Sequence, residues 1–142
     1  METIVVGVDG SQAAGVALEF AVEEAALRGA DLRVVSVWEM PAMVPPEVLA
    51  APAAFEGLRE EANAVVAEAV SRAKELQPSL NCEGVVLNGR AGDLLVEEAR
   101  GAALVVVGRR GHGALAAVLL GSVSHQVADH APCPVVVVPP LV

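Results

Sequence analysis

Leu104-Val105-Val106-Val107 is apolar at every position and runs straight into Gly108. A strand with one wet face alternates polar and apolar side chains. A run without alternation is buried on both faces, as in a parallel sheet enclosed between helix layers. Ile4 to Val8 reads the same way, and so does Val135 to Val138, which Pro139-Pro140 stops. Helical segments separate the strands, and that alternation implies right-handed crossovers with helices on both faces of one sheet. The core must be built from Val, Leu, Ile and Ala, because the chain is 54% hydrophobic but only 2% aromatic. At 142 residues it is expected to form a single domain over 1–142.

Between the strands the punctuation is local. Asp9-Gly10-Ser11 is a turn whose serine can cap a helix from about Ala13 to Leu27, with Val16, Phe20, Ala21 and Leu27 among its apolar positions and Gly29 at its end. Leu32 to Trp38 is a second strand, and the Pro- and Ala-rich stretch from Met40 to Pro52 reads as a loop. A long helix fills about Phe55 to Leu76 and is broken by Pro78. Glu83 to Leu87 is a third strand, Gly89 to Asp93 turns into a short helix ending near Gly101, and a last helix runs from Ser122 to about Asp129.

After the Leu104–Val107 strand come Gly108-Arg109-Arg110-Gly111, nine further residues, and Gly121-Ser122-Val123-Ser124. Glycines allow a positive φ or a close ligand approach. The N–H groups of Gly121, Ser122, Val123 and Ser124 gather at a helix start, where the dipole favours an anion. Ser122 and Ser124 add hydroxyl donors, and Arg109 and Arg110 add positive charge, a combination that suits a phosphate chain. Solvated loop charge is the competing reading of the two arginines. A net charge of -9 argues against general nucleic-acid binding, since no basic face displaces counterions. Met1-Glu2 lacks the basic start of a signal peptide, and no apolar run reaches the roughly 20 residues that span a bilayer. Cys82 and Cys133 are expected to be buried free thiols in a reducing cytoplasm.

The spacing G-x2-G-x9-G-[S/T] is complete as Gly108, Gly111, Gly121 and Ser122. With Gly7-Val8-Asp9-Gly10-Ser11 at the start and His130-Ala131-Pro132-Cys133-Pro134-Val135 near the end, the whole chain resembles the universal stress protein (UspA) family. The resemblance implies a Rossmann-like, adenine nucleotide alpha hydrolase-like α/β fold: an open five-stranded parallel sheet of order 3-2-1-4-5, with helices on both faces. It also implies a cytoplasmic protein, a homodimer paired through its last strand, and ATP held in the crevice between strands one and four. Asp9 would hold the ribose, and Gly7 and the Val37 backbone the adenine side. Gly108, Gly111, Gly121, Ser122, Val123 and Ser124 would surround the phosphates, and Val107, Arg109 and Arg110 complete the expected cofactor-binding set. Each has a plainer reading beside it: Asp9 as a turn aspartate, Val37 as core, Gly7 as an ordinary strand glycine. Many family members carry Ser or Thr where Arg109 stands, so this arginine either adds a phosphate contact or crowds the pocket.

The case for catalysis is thin. There is no G-x4-G-K-[S/T], and the only lysine is Lys74. No Ser/His/Asp order or nucleophile elbow appears. Among His112, His125 and His130, only His125 has a carboxylate at helical spacing, Asp129, and no third ligand is in place. No metal site is therefore expected from protein side chains. A magnesium ion bridging ATP phosphates fits better, because it keeps mostly water and phosphate ligands. The expected function is an ATP-binding regulatory module and not an enzyme. Two rivals stand beside it: a slow ATP-hydrolysing enzyme, and a dimer module that binds no nucleotide.

Overall fold

A computed structural model describes residues 2–40, 45–49, 51, 53–109 and 121–140. The elements in chain order are β1 (Thr3–Gly7), α1 (Gln12–Arg28), β2 (Asp31–Trp38), α2 (Pro46–Leu49), α3 (Ala53–Leu76), β3 (Cys82–Asn88), α4 (Ala91–Glu98), β4 (Leu104–Gly108), α5 (Ser122–His130) and β5 (Val135–Val138). The five strands form one parallel sheet of order β3-β2-β1-β4-β5. That is the order the resemblance implied.

The non-alternating runs end up where two-sided burial requires. Ile4, Val5, Val6, Val105 and Val106 are all 0% exposed in the central strands β1 and β4. Ile4, Val6 and Val106 pack against α1 and α3 on one face; Val5, Val105 and Val107 pack against α4 and α5 on the other. The chain leaving β1 thus enters a helix on one face, and the chain leaving β4 enters a helix on the opposite face. Their carboxyl ends flank the point where the strand order reverses.

α1 begins as its sequence signals. The Ser11 side chain accepts from the Ala14 N–H at 3.2 Å, and Gly29 closes the helix in the left-handed conformation at φ 65. Its buried face is small: Ala13, Ala14, Ala17, Leu18, Ala21, Val22 and Ala25. Phe20 and Leu27, apolar in the sequence pattern, point outward instead. Alanine lets the helix backbone approach the sheet closely, and a large side chain on that face would hold it off. The Met40 to Pro52 stretch is not loop throughout: α2 occupies Pro46–Leu49, with the proline at the first helical position, where a missing N–H costs nothing. Residues 41–44, 50 and 52 of that stretch lie outside the described residues. Cys82 and Cys133 are free as expected but half-buried, not buried. Partial burial pushes both thiols above their ordinary range. Among the described residues, no helix is long and apolar enough to cross a membrane.

Candidate functional site

Parallel pairing of Ile4 with Leu104 and Val6 with Val106 brings the ends of β1 and β4 to one edge of the sheet. Past β1 the exposed Asp9 turns back, its Oδ1 accepting from the Ser11 N–H at 2.9 Å. The turn-aspartate reading is therefore realised for this oxygen, and it seats Ser11 as the cap of α1. Gly108 touches the same helix start. A Cβ built on it would lie 2.9 Å from the Ala13 carbonyl carbon and 3.0 Å from the Ala13 carbonyl oxygen. Gly108 is absent from the positive-φ glycines, so close approach to α1, and not an unusual dihedral, is what demands a glycine here. The Asp9 turn and the glycine motif thus meet through Ala13.

The far side of the motif is the first turn of α5. Gly121 is its N-cap, in extended backbone (φ -71, ψ 166) and without a side-chain cap. The N–H groups of Ser122, Val123 and Ser124 have no intrahelical partner, as at any helix start. Two donors assigned to phosphate are occupied within the chain. The Gly121 N–H donates to the Arg109 carbonyl at 2.7 Å, and the Ser124 hydroxyl donates to the same carbonyl at 2.7 Å. Ser124 is only 2% exposed, whereas Ser122 is exposed. Arg109 is half-buried, and its Nε is buried with no hydrogen-bond partner. Arg110, Gly111 and His112 lie outside the described residues.

Val37 sits near the carboxyl end of β2. The Val8 N–H donates to the Val35 carbonyl, so alternate β2 residues aim their peptide groups at β1. Two residues further on, β1 has already turned away at Asp9, and the Val37 peptide groups face the gap beyond it. The Val37 side chain packs into the core with α4 and α5. Gly7 serves a different purpose from the one expected. The space a side chain would take is filled by Leu95, whose Cδ1 lies 2.9 Å from the position of a Cβ. The missing side chain admits a core leucine from α4, not a base. Leu95 and Ala13 carried no sequence signal, because their importance comes from long-range packing. His125 pairs with Asp129 at 3.2 Å on the exposed face of α5. Away from the site, Arg33 bridges Glu83 and Glu98, and the hydrogen bond to Glu83 raises its pKa above the ordinary value.

A cavity of about 600 Å³ opens between α1 and α3, lined among others by Gly10, Ser11, Glu68 and Arg72. It borders the Asp9 turn but includes neither Gly108 nor any residue of α5.

An open parallel sheet with two helix starts at its switch point defines a doubly wound, Rossmann-like α/β protein. The profile of the universal stress protein family matches residues 1–139, and the chain belongs to that family. It is 38% identical over 137 residues to a universal stress protein of Mycolicibacterium smegmatis; the match covers 96% of this chain and 45% of that one. The chain thus spans slightly under half the length of this curated relative. Among solved structures, the universal stress protein UspA from Lactobacillus plantarum is similar with a TM-score of 0.85 at 28% identity, over 96% of this chain and 97% of that one. A universal stress protein in complex with cAMP has a TM-score of 0.73 at 30% identity, over 96% of each chain. The Archaeoglobus fulgidus universal stress protein in complex with dAMP has a TM-score of 0.72 at 27% identity, over 97% and 98%.

Proposed function

We propose that this chain is an adenine-nucleotide-binding module, with ATP as its ligand, acting in cytoplasmic stress regulation. The observation that carries the reading is the buried, unpartnered Arg109 Nε beside an α5 start with no side-chain cap. A buried guanidinium donor and uncapped first-turn N–H groups together call for an anion. The cAMP- and dAMP-bound relatives make an adenine nucleotide the natural candidate. In this reading Ser122, Val123 and the backbone N–H of Ser124 face the phosphates with Gly108 and Arg109. The Val37 peptide groups meet the adenine edge, and Asp9 meets the ribose. Magnesium would ride on phosphate and water, since the described residues hold no group of three His, Cys, Asp or Glu side chains that could hold a metal ion. Lys74, in the last turn of α3, precedes β3 and so belongs to the opposite edge of the sheet. It is out of reach of the phosphate site, which favours binding over phosphoryl transfer. Mass identification of nucleotide released from gently purified protein tests the reading: an adenosine phosphate is expected, and a protein that neither retains nor binds one contradicts it.

Asp9→Asn removes the charge, while the amide oxygen can keep the bond from the Ser11 N–H. It is expected to weaken ATP binding by roughly 1–3 kcal/mol, the scale of a hydrogen bond to a charged group. The loss should be smaller for 2′-deoxy-ATP, which already lacks one hydroxyl. Calorimetry on both sugars checks this, and equal losses would count against ribose recognition.

The homodimer belongs to the same proposal. Val105 N–H donates to the Pro134 carbonyl and Arg109 N–H to the Val138 carbonyl, so the even-numbered residues of β5 face β4. The peptide groups of Val135 and Val137 then point away from β4, toward the edge of the sheet. A second copy pairing there would cover that edge in a closed two-fold contact. Val137→Pro removes one outward N–H and leaves the β4 ladder untouched. Light scattering is expected to give a dimer for the wild type and a folded monomer for V137P; a monomeric wild type rejects the arrangement.

A further inference from the structure

Ser124 is 2% exposed, and its hydroxyl lies 2.7 Å from the Arg109 carbonyl and 3.1 Å from the Gly121 carbonyl. A hydroxyl has one proton to give. The shorter contact is a strong hydrogen bond between residues fifteen apart in sequence, and the longer one is the local contact that any third-position serine of a helix can make. The Gly121 N–H donates to the same Arg109 carbonyl at 2.7 Å, which fills both of its lone pairs. The N–H of the same residue, Arg109, donates to the Val138 carbonyl at 2.7 Å. The backbone of one residue, through its N–H and its carbonyl, therefore ties together the end of β4, the end of β5 and the start of α5.

We propose that Ser124 is a positioning residue: its hydroxyl clasps the Arg109 carbonyl and holds the first turn of α5 against the end of β4. A phosphate cannot take this hydroxyl proton without breaking the clasp. What the clasp supplies is the register between Gly108 and the N–H groups of Ser122, Val123 and Ser124, fixed before any ligand arrives. A ligand meeting a loose helix start would have to order it on binding and would bind more weakly. Ser122, exposed two residues earlier, has no such bond and is the serine whose hydroxyl is open to a ligand. The functional consequence rests on the nucleotide reading above; the clasp itself does not.

Amide hydrogen exchange on the full-length protein without nucleotide tests the clasp, and ATP titration tests its consequence. Serine is replaced by S124V and S124T, which share a shape and differ by the hydroxyl, and by S124A; S122A is the comparison. The Gly121 amide is expected to exchange roughly five- to tenfold faster in S124A and S124V, the loss of one ordinary hydrogen bond. S124T should restore the wild-type rate, and S122A should leave it unchanged. ATP affinity should fall by a similar factor in S124A and S124V and recover in S124T. Wild-type exchange in S124V together with lost ATP affinity would overturn the proposal and make Ser124 a ligand. Fast exchange in S124T as in S124V would also overturn it, since the hydroxyl would then be irrelevant. If the wild type binds no nucleotide, the functional reading fails, while the exchange rates still decide the clasp.

Discussion

A Gly121→Val protein is expected to fold normally and to bind no nucleotide. Gly121 has φ -71 and ψ 166, an extended conformation that valine prefers, so the substitution meets no backbone strain. Its N–H still reaches the Arg109 carbonyl, since valine keeps that donor. What changes is the surface offered to the ligand. Phosphates at a helix start lie against bare backbone, and a branched side chain at the N-cap stands between them and the first-turn N–H groups. Losing several hydrogen bonds to charged oxygens removes on the order of 3 kcal/mol or more, at least about a hundredfold in affinity. Calorimetry with ATP and a thermal melt check both halves. Unchanged affinity in a folded G121V protein would sink the assignment of the phosphates to α5.

Gly108→Ala is expected to do the opposite and damage the fold. The added Cβ would sit 2.9 Å from the Ala13 carbonyl carbon, 3.0 Å from its oxygen and 3.0 Å from its Cβ. These are backbone and near-backbone atoms of α1, which no rotamer change can move aside. Relief requires α1 to shift off β4, and α1 meets the sheet through a face made mostly of alanine. Overpacking of this kind costs about 2–3 kcal/mol, a drop of roughly 5–10 °C in melting temperature for a domain this size. The same shift displaces Ser11 and the Asp9 turn, so nucleotide affinity should fall with stability. A G108A protein that melts with the wild type would show that the approach of β4 to α1 is looser than described.

Much of this architecture was legible because its causes are local. The runs Ile4 to Val8 and Leu104 to Val107 declare two-sided burial by failing to alternate, and Ser11 and Gly29 mark the ends of α1 by their own chemistry. The glycine spacing located the candidate site and the family. What stayed hidden depends on residues distant in sequence. Nothing near Gly7 announces that Leu95 fills its missing side chain, and nothing near Ser124 announces the Arg109 carbonyl. The pattern could not separate the two serines of Gly121-Ser122-Val123-Ser124, because their difference is direction: one is exposed, the other turned inward. Phe20 and Leu27 misled for the same reason, since an apolar side chain does not say which face of α1 meets the sheet. α2 was concealed by proline, which reads as a breaker until it is seen at a helix's first position.

The central claim is that an adenine nucleotide lies across the carboxyl ends of β1, β2 and β4 and against the start of α5. Amide resonances of isotope-labelled protein followed during an ATP titration test it most directly. Saturable shifts are predicted for Asp9, Gly10, Ser11, Val37, Gly108, Arg109, Ser122, Val123 and Ser124, with Glu68, Arg72 and Glu75 in the cavity between α1 and α3 unmoved. No shifts at saturating ATP, or shifts confined to those three residues, would contradict it.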